Sequence, residues 1–126
     1  MFDKNFELRY FEMDTIGKAT PITMLMLFEE AAAEHCINIG YSLYDLMSKN
    51  IGWVLLAGFM EMYRYPNYKE KIVIRTWISN FTHIKGLREN IVYSEDGEIL
   101  GHAKGLWVFF DIDRRRPVRI FPGIKE

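Results

Sequence analysis

TPITMLMLFEEAAAEHCINIG, residues 20–40, is the longest stretch with a helical period, and its reading decides the fold. Thr20 is a good N-cap, and Pro21 follows at the first helical position, where its missing N–H costs nothing. Ile22, Leu25, Phe28, Ala32, Cys36 and Ile39 recur at helical spacing, and Gly40 stands where a glycine commonly ends a helix. Such a helix of roughly 20 residues measures ~30 Å, enough to cross a small domain. Its first half, through Met24, Leu25, Met26, Leu27 and Phe28, is apolar over much of its girth. That predicts a helix embraced by other elements, not one lying on a surface.

Working outward, the chain on both sides reads as strand. Asn5 to Met13 alternates β-prone Phe6, Leu8, Tyr10 and Phe11 with charged residues, and the loop Asp14–Lys18 joins it to the helix. Downstream, Ser42 to Lys49 reads as a short helix capped by Ser42. Then come Trp53 to Tyr65, ended by Pro66, and Glu70 to Phe81, with Ile72, Ile74, Thr76 and Ile78 on one face. Gly86 to Ser94 and Glu98 to Asp111 follow, joined by the tight-turn signal Asp96-Gly97. A final short strand is predicted from Val118 to Phe121. Strand, long helix, then an antiparallel meander is an α+β order. It fits the hotdog fold, a long central helix wrapped by a curved antiparallel sheet of five or six strands. A ferredoxin-like sandwich needs a second long helix for which the chain has no room. A lone sheet of this kind leaves an exposed edge, so pairing with a second hotdog domain or a homodimer partner is expected.

The 126 residues amount to one domain, 49% hydrophobic and 26% charged, a globular composition. Sixteen Lys and Arg against seventeen Asp and Glu leave a net charge of −1, so neither nucleic acid nor an anionic membrane is expected as partner. Aromatic residues reach 15%, a surplus that fits an apolar pocket or interface beside the core. The single Cys36 cannot form an internal disulfide, which points to a reducing compartment. Asp3, Lys4, Asn5 and Glu7 interrupt any signal-peptide core, and the apolar run from Pro21 to Phe28 is too short to span a bilayer. A soluble, cytoplasmic protein is the expectation.

Motif chemistry is sparse. There is no nucleophile elbow, Walker loop, dinucleotide fingerprint, HExxH or CxxC, and neither cofactor nor metal is expected. His35, His83 and His102 fall on a helix, a loop and a strand without convergent partners; His35 and Glu34 read as surface residues, and His102 as solvent-facing. Cys36 reads as a small buried thiol. Asp14, between the first strand and the helix, and Glu29, interrupting the helix midway, are the candidate catalytic groups. A carboxylate set against apolar walls has a raised pKa and can serve as base or nucleophile toward an activated ester. Glu30 and Glu34, four apart, read as a solvated helix face. Arg114-Arg115-Arg116 reads as a solvated hairpin end on which an acidic carrier protein or a cofactor phosphate could also dock.

With these elements placed, FELRYFEMDTIGKATPITMLMLFEEAAA (residues 6–33) resembles the opening strand and helix of acyl-acyl carrier protein thioesterases. GWVLLAGFMEMYRYPNYKEKIVIRTWISNF (residues 52–81) is similar to that family's tryptophan-valine strand, Tyr-Pro turn and following strand. GLRENIVYSEDGEILGHAKGLWVFFDIDRRRPVRIF (residues 86–121) resembles its closing hairpin. The resemblance implies the N-terminal half of a double-hotdog enzyme hydrolysing acyl-acyl carrier protein to free fatty acid. The family's catalytic Asp and Asn-x-His belong to the second half, and no Asn-x-His occurs here. It further implies that this half supplies the acyl-binding tunnel, with Leu25, Phe28 and Ala32 of the helix and Trp53, Leu55 and Met60 of the next strand lining it. Backbone N–H groups near a helix N-terminus would polarise the thioester carbonyl while a base activates water. Two alternatives stand beside this one. One is a catalytically silent acyl-binding or dimerising domain. The other is a single-domain acyl-coenzyme A thioesterase that uses Asp14 or Glu29 across a homodimer interface; Lys18 stands where that group commonly has His.

Overall fold

The computed structural model describes residues 1–119. Its elements are β1 (Phe2–Glu7), a 3-10 turn (Tyr10–Glu12), α1 (Pro21–Asn38), α2 (Leu43–Ser48), β2 (Ile51–Met62), β3 (Lys71–Phe81), β4 (Lys85–Ser94), β5 (Ile99–Asp111) and β6 (Arg116–Pro117). One antiparallel sheet runs in the order β1-β3-β4-β5-β2, and β6 adds to β5. Register shifts at Leu55/Ala57, Ile78/Asn80 and Val92/Tyr93 mark the bulges at which such strands bend. The sheet, with α1 packed on one face, has the hotdog fold expected from the element order.

The caps of α1 are those its sequence announces. The Thr20 side chain accepts the Thr23 N–H, and Pro21 opens the helix. At the other end Gly40 takes a left-handed φ of +101°, and the Tyr41 N–H donates to the Cys36 carbonyl at 2.7 Å. α2 is fixed by a reciprocal box between Ser42 and Asp45.

Three expectations are corrected. The first strand is not Asn5–Met13: it starts at Phe2 and stops at Glu7. Beyond it Glu12 folds back to accept from the Arg9 backbone N–H at 2.8 Å and from the Arg9 guanidinium, so Tyr10–Glu12 coils into a 3-10 turn. The last strand among the described residues is Arg116–Pro117; of the predicted Val118–Phe121, Val118 donates its N–H to the Phe109 carbonyl, while Ile120 and Phe121 lie outside the described residues. Nor is α1 embraced within this chain. Met24, Leu27, Phe28, Ala31 and Ala32 are buried, but Ile22, Leu25 and Met26 on the opposite side are exposed.

The main core joins that buried helix face to Leu8, Ile72, Ile74, Val92 and Leu100. A second cluster gathers Leu46 and Phe109 with Trp53, Ile78 and Phe81. β2 closes one margin of the sheet and differs from the other strands: Val54, Leu55, Leu56 and Phe59 are all exposed. Strand alternation should hide one face of such a run. Here neither face is covered.

Candidate functional site

Asp14 sits in the loop that leads into α1. Its Oδ1 accepts the backbone N–H groups of Ile16 at 2.9 Å and Lys18 at 3.0 Å, and the Asp14 N–H donates to the Lys18 carbonyl at 2.7 Å. The loop is anchored on three sides. Ala19 donates to the Pro66 carbonyl, Tyr68 to that of Gly17, and Thr23 Oγ1 to that of Glu12 at 2.7 Å. The carboxylate is therefore fixed in place but exposed. Glu29 is exposed as well, on the side of α1 that carries Ile22, Leu25 and Met26. Among the described residues, neither carboxylate is set against apolar walls. The apolar side chains nearest to Glu29 along the helix themselves face outward.

The six apolar candidates do not converge either. Phe28 and Met60 meet in the main core, and Trp53 belongs to the second cluster, its ring edge-on to Phe109 at 4.4 Å and stacked on Trp107 at 5.9 Å. Ala32 is buried, whereas Leu25 and Leu55 are 52% and 50% exposed. A cavity beside Trp53, Cys36, Ile78 and Arg88 leaves room for only about 10 Å³, close to one water and far below an acyl chain. No acyl-sized tunnel runs through the described part of this chain at that point.

What the sequence reading missed lies on the inner face of the sheet. Arg88 is 2% exposed; its Nη1 donates to Thr76 Oγ1 at 2.9 Å and lies 2.9 Å from His35 Nδ1. Because a guanidinium only donates, that His35 nitrogen is the acceptor, and the imidazole there is neutral. His35 is itself 2% exposed and stacks on Phe2, which overturns its assignment to the surface. Asn90 is buried next to this group, opposite Thr76 in the ladder. Its Oδ1 accepts no hydrogen bond. The signal available was register: pairing Thr76 with Asn90 puts Arg88 and Asn90 on the same face as Ile74 and Thr76. Reading β4 by hydrophobicity would have turned Leu87, Ile91 and Tyr93 inward instead.

The remaining polar residues behave locally. Burial raises the Cys36 thiol pKa, which leaves it an inert core group, as expected. Glu34 pairs with Lys4 at 2.9 Å, and this holds its carboxyl below the usual range; the neighbouring Glu34 pushes Glu30 up. His102 is half-buried between Phe59 and Tyr63, 3.9 Å from Glu61, not facing solvent freely. Among the described residues no three His, Cys, Asp or Glu side chains are grouped to hold a metal, and no helix is long and apolar enough to cross a membrane.

The class that this fold defines is the hotdog thioesterase-like domain, one helix on a curved sheet with an open margin. The chain belongs to the acyl-ACP thioesterase family: residues 1–126 match the family model described as the acyl-ACP thioesterase N-terminal domain. It is 26% identical to the chloroplastic oleoyl-acyl carrier protein thioesterase 2 of Arabidopsis thaliana, over 99% of this chain and 36% of that one. The chain thus spans about a third of the length of the curated relatives it matches. An acyl-ACP thioesterase from Bacteroides thetaiotaomicron superposes with a TM-score of 0.84 at 24% identity, covering 94% of this chain and 49% of that one. A DHNA-CoA thioesterase from Staphylococcus aureus gives 0.88 at 20% identity, with 94% and 79% covered.

Proposed function

We propose that this chain is the acyl-positioning half of a thioesterase that releases fatty acid from acyl carrier protein. The observation that carries the reading is the pair of uncovered apolar faces. Ile22, Leu25 and Met26 on α1 and Val54, Leu55, Leu56 and Phe59 on β2 are exposed together. They are too many for an isolated surface, and β2 offers a sheet margin to which another strand can add. A second hotdog domain laid against that margin would bury both faces. It would also turn Asp14 and Glu29, now in water, toward a dry interface. The acyl chain would then run between the halves, against Leu25 and Leu55 and the half-buried Trp53 and Met60. The base that activates water would come from the other half. Here Asp14 is bound to its own loop backbone and Glu29 is exposed on the helix.

The test is a titration of the chain with carrier protein bearing a non-hydrolysable acyl amide, followed by tryptophan fluorescence, because Trp53 and Trp107 stack beside the proposed path. Affinity should rise with acyl length and fall at least severalfold in Leu55→Arg. Equal affinity for acylated and unacylated carrier would remove the acyl-binding role.

A further inference from the structure

One end of the sheet carries a cluster of exposed basic residues. At the β4–β5 turn stand the exposed acids Glu95, Asp96 and Glu98. At the opposite end the β5–β6 turn carries Arg114, Arg115 and Arg116, and the first residue of β4, Lys85, lies alongside; all four are exposed. The acids of the basic end are already committed. Asp111 accepts the Arg114 backbone N–H at 2.9 Å and lies 3.8 Å from its Nε, while Asp113 accepts from the Asn50 amide at 2.9 Å. These contacts pin the turn to the start of β2. They leave Lys85, Arg115 and Arg116 with no ion pair among the described residues. Arg115 also occupies the left-handed region, with φ +54°, where glycine or asparagine would fit with less strain.

We propose that the Arg115–Arg116 turn, with Lys85, docks the acidic surface of the carrier protein, an inference that rests on the thioesterase reading above. The array is exposed and spread over a turn and the start of the neighbouring strand. That suits carboxylates spread over a protein face, whereas a phosphate needs donors converging on one point. The turn is also continuous with the pairing margin, because the Ile112 N–H donates to the Asn50 carbonyl at the first residue before β2. If a second hotdog adds antiparallel to β2, the Ile51 end of this chain lies beside the far end of the partner strand. A carrier held at the turn would then present its prosthetic arm to the groove between the halves.

The experiment measures affinity of the full chain for two probes, acylated carrier protein and apo-carrier lacking its prosthetic arm, at two salt concentrations. The variants are Arg115→Glu/Arg116→Glu, the milder Arg115→Gln/Arg116→Gln, and Lys69→Glu/Lys71→Glu as a control away from the turn. All are exposed positions, and a thermal melt checks folding. The proposal expects the glutamate pair to weaken both probes about tenfold and to flatten the salt dependence, with a smaller loss for the glutamines and none for the control. Unchanged binding of both probes in the arginine variants overturns the docking surface and leaves the thioesterase reading standing. A loss confined to the acylated carrier also overturns it, since the arginines would then read the prosthetic phosphate. If the unmodified chain binds no carrier in any form, both the surface and the thioesterase reading fall.

Discussion

Arg88 is the residue whose environment asks most of the sequence. A guanidinium buried under α1 is made tolerable by partners such as Thr76 and His35, which accept from it, and removing it would leave those acceptors dry. Arg88→Met should therefore destabilise the chain by about 2–4 kcal/mol in urea unfolding. Adding His35→Phe to that variant should cost less than the sum of the two single changes, because their losses share one contact. Neither residue was read as buried; the register of β3 against β4 places Arg88 inside, and helical spacing from Met24, Phe28 and Ala31 places His35 there. Cys36 was legible, being small, apolar and in line with Ala32 and Ile39. A second residue-scale prediction concerns acid. Arg64 grips Glu70 through two bonds of 2.9 and 2.8 Å, which, against an opposing effect of burial, hold the Glu70 carboxyl below its usual value of 4.5. A depressed folded-state pKa gives stability that is present above about 4.5 and is lost as pH falls through the lower folded value. Glu70→Gln should lower stability at pH 7 and flatten the acid limb of a stability profile below pH 4.5.

At the level of elements, α1 shows why caps read well and strand starts do not. Thr20, Pro21 and Gly40 act through local geometry that any sequence window contains, so the helix ended where it was expected. Thr20→Ala should cost about 1 kcal/mol, measured by thermal denaturation. The end of β1 depended on Glu12 reaching back to Arg9, and nothing in the alternation of residues 5–13 distinguishes that from a continuing strand. Faces were equally unreadable for β2, where Val54, Leu55, Leu56 and Phe59 are exposed on both sides of the strand. In β5, Gly101 faces Met62 so closely that a Cβ there would lie 2.6 Å from the Glu61 carbonyl oxygen and nearer still to the Met62 sulfur. Since the obstructing atom is backbone in the paired strand, Gly101→Ala should force β2 and β5 apart. The expected loss is about 1–3 kcal/mol in chemical denaturation.

For the whole molecule, the fold follows from one capped helix and a run of antiparallel strands, while the site does not follow from the chain alone. Leu25 and Leu55 were named for an acyl tunnel, and both are about half exposed, which suits the proposed half of a lining. Pairing through β2 should appear in light scattering as a concentration-dependent mass above that of one chain, and Leu56→Lys/Phe59→Lys should return it to a monomer. Asp14 and Glu29 are both exposed, the first held in the loop before α1 and the second on the helix itself. The most direct measurement is thiol release from acyl carrier protein and coenzyme A thioesters by the purified, folded chain, with its mass followed alongside. The account predicts acyl binding with no hydrolysis above buffer, whatever the mass. Turnover by the chain alone, abolished in Asp14→Asn or Glu29→Gln, would contradict it and make the protein a self-sufficient homodimeric thioesterase.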